Sequence, residues 1–440
     1  MIQASDVHTI LGRHQLADGF PFVLDTQRSQ GVWLVDAVSG KRYLDCFTSF
    51  ASWPIGYNHP DLEDTAFREE LLEAALINPA NSDLYTGSMA EFVQAFATHV
   101  SPDTHPHHFW IAGGGLAVEN AMKVAFDWKA RKLGRTDMTT PCEDLVILHF
   151  NQAFHGRTGY TMSCTNTVPD KVGLFPKFDW PRVHNPAIHF DAKGEIDNDI
   201  EAEEAKACAE IEAAFAKHEG KIAGILIEPI QGEGGDNHFR PEFLAKLRQY
   251  ANEKEALLLF DEVQTGFFGT GKAWMWQNAG VEPDIVAFGK KTQVCGIYAN
   301  KRVEEVEDHV FVRSSRINST WGGNLVDMVR ARKFIDIVLR HELADNTAER
   351  GCQVVGLLQK LAAEHSEITN VRGAGSWIAF TLPSPAARDA LLGSMMNNEL
   401  LALASGPQSI RLRMPLILSE AEGNQVGERI AASLPALAGA

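Results

Sequence analysis

Lys290 ends the stretch Pro283-Asp284-Ile285-Val286-Ala287-Phe288-Gly289-Lys290, and an earlier apolar run closes on the acidic pair Asp261-Glu262. A lysine amine condenses with an aldehyde, and a carboxylate in apolar surroundings keeps a heteroaromatic nitrogen protonated, so that the ring accepts electrons. Chemistry on a pyridoxal ring needs both groups. An aspartate ending an apolar strand is costly to bury unless it meets a cation, and a pyridinium N–H is such a cation. Gln264, three residues on, is spaced to donate to the ring's phenolate oxygen. Taken alone, an aspartate in this place caps a helix.

Three further segments carry side chains or backbone of the same kind. Gly113-Gly114-Gly115 precedes Leu116-Ala117-Val118-Glu119-Asn120-Ala121-Met122-Lys123. Glycine N–H groups approach a phosphate closely and a helix N-terminus adds its dipole, although any loop-to-helix turn can carry such a triplet. Asn151-Gln152-Ala153-Phe154-His155-Gly156-Arg157-Thr158 offers a ring for stacking, an imidazole and a guanidinium able to grip a carboxylate; a packed aromatic beside a surface ion pair is the plain alternative. Glu228-Pro229-Ile230-Gln231-Gly232-Glu233-Gly234-Gly235 puts two carboxylates on a glycine-rich loop, which by itself reads as a surface turn.

These segments need a scaffold that brings them together. Between about residues 110 and 300, short apolar runs alternate with amphipathic stretches, the pattern of an α/β sheet. The runs Leu145 to Phe150, Ile222 to Ile230, Ala256 to Val263 and Asp284 to Phe288 are apolar without alternation, which predicts strands buried on both faces of a largely parallel sheet. Function is then expected at their carboxyl ends. Helices are predicted over Ala117 to Leu133, Ile196 to His218 with a stop at Gly220, Pro241 to Lys254 with proline in the first turn, and Leu325 to Arg340.

At 440 residues and 45% hydrophobic, the chain buries a large core and is expected to form two domains. We expect residues 61–324 to form the large domain and 325–440 the small one, joined by an N-terminal segment, 1–60. A net charge of -17, spread along the sequence, argues against nucleic acid or anionic membrane as partner. Six cysteines without a C-x-x-C pair suit a reducing compartment. The N-terminus has no basic segment followed by an apolar stretch, and no apolar run approaches the ~18 residues of a spanning helix, so a cytoplasmic location is expected. His105, His107 and His108 lack spaced partners for a metal and read as a solvated turn into Phe109-Trp110.

Taken in order, Ala117 to Ala121, Phe154 to Thr158, Glu228 to Glu233, Asp261 to Gly266 and Ser319 to Asn324 resemble the successive blocks of the class III pyridoxal-phosphate aminotransferases, over about Val32 to Leu416. Within that family, Phe288 to Gly296, Leu116 to Ala121 and Arg316 to Asn324 resemble the L-lysine ε-aminotransferase subgroup. The resemblance implies an α/β fold of the type I pyridoxal-phosphate transferases, a mostly parallel seven-stranded sheet with a smaller α+β domain, and pyridoxal 5'-phosphate as cofactor. It also implies ping-pong transfer of the ε-amine of L-lysine to 2-oxoglutarate in a homodimer with shared active sites. Other ω-aminotransferases, acting on ornithine, acetylornithine, 4-aminobutyrate or a diamine, share these blocks, as does a racemase or mutase on the same fold. A DNA-binding regulator would need a basic helix-turn-helix, which the first sixty residues lack.

Residue by residue, the resemblance makes Lys290 the Schiff-base lysine and Asp261 the partner of the ring nitrogen. On an extended strand Lys291 would point the other way. Gln264 meets the phenolate oxygen and Phe154 stacks on the ring. Gly114 and Gly115 bind the phosphate, with Thr320 reaching it from the neighbouring subunit, while His155 and Glu228 complete the cofactor site. Gly113 stands where the family usually has Ser or Thr. Arg411, with Arg413 as the alternative, would bind an α-carboxylate; Arg157 and Asn318 fall at substrate-binding positions, and no metal is implied. An unmasked Arg411 would draw lysine in by its α-end, so Glu233 is expected to pair with it for lysine and to swing away for 2-oxoglutarate. Lysine's α-carbon lies roughly 5 Å from its ε-carbon when extended, which sets Arg157 farther from the cofactor than Arg411. Trp53 and Phe50 are candidates for the substrate tunnel or for ordinary core.

Overall fold

A computed structural model describes residues 2–439, so only the outermost residues of the two expected terminal segments lie outside it. Seven strands form the main sheet: β1 His107–Ile111, β2 Val146–Phe150, β3 Arg182–Val183, β4 Ile222–Ile227, β5 Leu257–Asp261, β6 Ile285–Phe288 and β7 Cys295–Ala299. Their order is β1-β7-β6-β5-β4-β2-β3. All run parallel except β7, which is antiparallel to both of its neighbours. The mostly parallel seven-stranded sheet that the resemblance implies is therefore present. Every residue of β2, β4, β5 and β6 is buried, which is why these strands are written as unbroken apolar runs.

Helices cover the sheet: α1 Gly114–Lys132, α2 Ile200–Lys217 and α3 Pro241–Glu253. Two begin where capping chemistry rather than apolar periodicity dictates. Helix α1 starts three residues before the expected Ala117, with Gly113 as N-cap at φ 115°. Helix α2 starts at Ile200 rather than Ile196, because the Asp199 side chain accepts from Ala202 N at 3.1 Å.

Helix α4, Leu325–Arg340, has the expected bounds, yet its buried Met328, Phe334 and Ile335 belong to the larger core. The smaller unit instead gathers around the sheet β8 Thr369–Ala374, β9 Trp377–Thr381, β10 Leu403–Ser405 and β11 Ser409–Arg413, antiparallel in the order β8-β9-β11-β10. Its separate core joins Val354, Ile378, Phe380, Leu412 and Val426 to Val32 and Leu44. The N-terminal strand Arg42–Asp45 pairs in parallel with Leu400–Leu401, which ties the first segment to this unit.

The histidine trio is not a solvated turn. His105 is buried with its Nε2 2.9 Å from the Pro283 carbonyl oxygen, and His107 and His108 lie on edge strand β1. No described helix is long and apolar enough to cross a membrane.

Candidate active site

A cavity of about 430 Å³ opens at the carboxyl ends of β2, β4, β5 and β6, within the roughly 300–1,000 Å³ usual for small-molecule sites. Gly114, Gly115, Phe154, His155, Glu228, Asp261, Gln264 and Lys290 all line it. Five distant stretches of sequence are thus brought together by the sheet, whose parallel strands end on this side.

Lys290 does not lie on an extended strand. After Gly289 it opens a 3-10 turn, Lys290–Thr292, with φ 55°. The turn, rather than a pleat, separates the two lysines. Lys290 lines the cavity, while the buried Lys291 Nζ donates to the carbonyl oxygens of Gln264 and, at 2.9 Å, Gly266. Burial brings the Lys290 amine down to about 7, and the positive charge of Arg411 adds to the effect, against the opposing pull of Asp261 and Glu228.

Asp261 ends β5, buried to 5% exposure. Its Oδ1 accepts from Val263 N at 3.1 Å, and its Oδ2 lies 2.8 Å from His155 Nδ1. His155 Nε2 is buried without a partner. Glu228 is fixed by accepting from Phe154 N and Gly232 N, both at 2.9 Å, so it organises the loops that carry the aromatic ring and the second glutamate. Burial pushes the Glu228 carboxyl up to about 7; nearby His155 opposes this and Asp261 reinforces it.

The glycines make a cradle that side chains would fill. A Cβ on Gly114 would meet Val263 Cγ1 at 2.6 Å, and one on Gly156, at φ 118°, would meet Gly115 Cα at 2.7 Å. Helix α1 begins here with no side-chain cap, leaving its first N–H groups for an anion. Gly113 is held by conformation rather than space, since φ 115° suits only glycine. Cradle, acidic group, stacking ring and low-pKa lysine fit pyridoxal 5'-phosphate.

The family model described as aminotransferase class-III matches residues 16–434. The chain belongs to the class III aminotransferases. It is 48% identical to the L-lysine-epsilon aminotransferase of Amycolatopsis lactamdurans over 434 residues, covering 98% of this chain and 96% of that protein. Identity to the mitochondrial 4-aminobutyrate aminotransferase of Mus musculus is 31% over 425 residues, covering 92% and 83%. Among solved structures, the lysine aminotransferase from M. tuberculosis in the internal aldimine form matches with TM-score 0.94 and 46% identity over 99% of this chain and 100% of that one. As a class III aminotransferase with the type I fold, the protein is an enzyme that uses pyridoxal 5'-phosphate.

The residues expected to meet substrate are distributed differently from those of the cofactor set. Arg411, on β11, is buried at 5% exposure, and its Nε has no partner among the described residues. Arg413 is committed elsewhere: it pairs with buried Asp236 and its guanidinium lies 3.5 Å from the Trp377 ring centroid. The expected pair between Glu233 and Arg411 is not formed. Glu233 Oε1 instead accepts from Lys171 Nζ and, at 2.8 Å, from Thr167 Oγ1. Arg157 is exposed and off the cavity wall, without an ion pair among the described residues. Asn318 and Thr320 are exposed and also off the wall.

Trp53 lines the aminotransferase cavity together with Ser52 and donates from Nε1 to Gly56 O at 2.6 Å, whereas Phe50 is exposed. Sequence reasoning missed Gln293, which borders the cavity and holds Ser52 O at 2.7 Å, and it missed Thr167 and Lys171. For the last two the only local signal was Pro169 opening the short helix Pro169–Val172.

Proposed function

We propose that this aminotransferase moves the ε-amino group of L-lysine to 2-oxoglutarate, giving 2-aminoadipate 6-semialdehyde and L-glutamate by a ping-pong mechanism. The observation that carries the reading is near-full-length identity of 48% to an L-lysine-epsilon aminotransferase, against 31% to a 4-aminobutyrate aminotransferase. Bound pyridoxal 5'-phosphate supplies the aldehyde that takes up the amine and the ring that accepts electrons. The remaining work falls to the chain.

In this reading Asp261, oriented by His155, holds the ring nitrogen, Gln264 the phenolate oxygen, Phe154 the ring face, and Gly114 and Gly115 the phosphate. Lys290 Nζ, brought down to about 7, can both release and accept a proton near neutrality, which suits it to carry one to and from the reacting carbon. Arg411 receives the α-carboxylate of 2-oxoglutarate or glutamate, and the buried, unpartnered state of its Nε supports that role. Glu233 gates Arg411, masking it for lysine; the arrangement with Glu233 on Lys171 corresponds to the unmasked side of that gate. Arg157 and Asn318 bind the far end of the substrate.

We further propose a homodimer in which Thr320 and Asn318 serve the partner's cavity, a cytoplasmic location, and a division into residues 1–60, 61–324 and 325–440, with helix α4 of the last segment packed on the larger core. The function is tested by offering lysine, ornithine and 4-aminobutyrate as sole donors with 2-oxoglutarate and identifying the product. Lysine should be preferred, with glutamate formed in equal amount and the cyclising 6-semialdehyde as co-product. Preference for ornithine or 4-aminobutyrate would move the enzyme to another ω-aminotransferase.

A further inference from the structure

We infer that Lys171, assisted by Thr167, is the second docking partner of Glu233, so that the gate over Arg411 is a contest between two cations for one carboxylate. The inference rests on the gating role proposed for Glu233 and adds the positioning residue that sets its balance. Lys171 Nζ and Thr167 Oγ1 both donate to Glu233 Oε1. The pair is only partly open to solvent, with side-chain exposures of 35% for Lys171 and 17% for Glu233. Lys171 Nζ also lies 5.7 Å from the centroid of the Phe154 ring, at the cavity wall.

The backbone around Glu233 is immobilised, so the gate has to move by side-chain rotation. Gly232 N donates to Glu228 Oε2 at 2.9 Å, Ser405 Oγ donates to Gly232 O at 2.7 Å, and Gly406 N donates to Glu233 O at 2.8 Å. Gly234 has no room to shift, since a Cβ there would lie 1.8 Å from Gln152 O. These contacts place Glu233 beside the hairpin that carries Arg411: Ser405 pairs with Ser409, and Arg411 follows two residues later, ~7 Å along the strand. Two long side chains span that gap.

A carboxylate left without Lys171 would be drawn to the buried guanidinium of Arg411, whose Nε has no partner among the described residues. Lys171 thus keeps Arg411 available to a dicarboxylate, and its strength tunes the acceptor half-reaction against the donor one. If Lys171 were merely a support for Phe154, its loss would slow both half-reactions alike.

The test uses the holoenzyme carrying Lys171→Met, Lys171→Arg, Thr167→Val or Glu233→Ala. The two half-reactions are followed separately by cofactor absorbance, and binding of unreactive glutarate is titrated. With Lys171→Met we expect glutarate binding and the 2-oxoglutarate half-reaction to weaken by ~5-fold or more, the low end of a coupling between sites, with the lysine half-reaction undiminished. Lys171→Arg should restore the balance, and Thr167→Val, which keeps the charge, should shift it less in the same direction. In a Glu233→Ala background Lys171→Met should have no further effect on the balance. Equal losses in both half-reactions, or no change with Lys171→Met, would overturn the role of Lys171. The gate itself is judged apart from this: Glu233→Ala should raise reaction at the α-amine of lysine relative to the ε-amine, and unchanged regiochemistry would remove the gate and this inference with it.

Discussion

Two adjacent lysines, both buried enough to have their pKa values lowered, differ in what their amines can reach. Lys291 spends its Nζ on two carbonyl oxygens, while Lys290 faces the cavity. A base whose folded pKa falls to about 7 binds fewer protons than the unfolded chain from there up to its ordinary value, so its contribution to stability rises with pH across that window. The same depression leaves a reactive free amine near neutrality. In cofactor-free protein, labelling of Lys290 by an amine-directed reagent should climb about tenfold per pH unit and level off above about 7, where exposed lysines are still protonated. Peptide mass spectrometry at graded pH reads this directly, and added pyridoxal 5'-phosphate should protect the site. Labelling of Lys291 ahead of Lys290 would reverse the assignment. At this scale the sequence disclosed much: Lys290, Asp261, Gln264, Phe154 and the glycines sit in local patterns that their chemistry imposes. The Glu233–Lys171 pair did not, because the partners are 62 residues apart and neither flanking segment encodes the other.

Elements were legible where burial writes a continuous signal and illegible where geometry is set by a turn or a neighbour. Strands β2, β4, β5 and β6 stood out as apolar runs, but two-residue β3 is too short for a pattern, and the reversed direction of β7 follows from the turn that begins at Lys290. Position 296 in β7 has to be glycine, since a Cβ there would lie 2.3 Å from Phe109 O, a contact no local reading of the sequence supplies. The start of α1 is the most consequential case. Because the helix opens at Gly114, its free N–H groups and the glycines coincide, and a methyl group at Gly114 presses on Val263. Overpacking of this kind costs about 1–3 kcal/mol. Gly114→Ala should therefore weaken pyridoxal 5'-phosphate binding by ~10-fold or more, as measured by absorbance titration. Gly159→Ala, where a Cβ meets nothing within 4 Å, is the control and should bind normally. Equal affinity in both variants would take the phosphate away from α1.

For the whole molecule, the cavity gathers the cofactor set from one chain yet leaves Asn318 and Thr320 exposed and off its wall. Nearby Trp321, together with Val312, Leu174 and Phe175, keeps large apolar surface in solvent, at 50%, 64%, 107% and 54% exposure. Large apolar side chains left open in this way suit burial against a second copy. The proposed homodimer, with Thr320 acting across the interface, makes a specific demand on mixed dimers. Lys290→Ala disables the cavity of its own chain, whereas Thr320→Asp sets a carboxylate against the phosphate in the partner's cavity. Each homodimer should be inactive. When the two are unfolded and refolded together in equal amounts, half of the dimers are hybrids. In a hybrid, one cavity combines Lys290 with the partner's unaltered Thr320 and the other carries both lesions, so roughly a quarter of wild-type activity should return. If Thr320 served its own cavity, every cavity in every dimer would carry one lesion and none would be restored. Titrating the mixing ratio against activity, with dimer content checked by sedimentation, distinguishes the two, because only action across the interface produces a maximum at equal amounts.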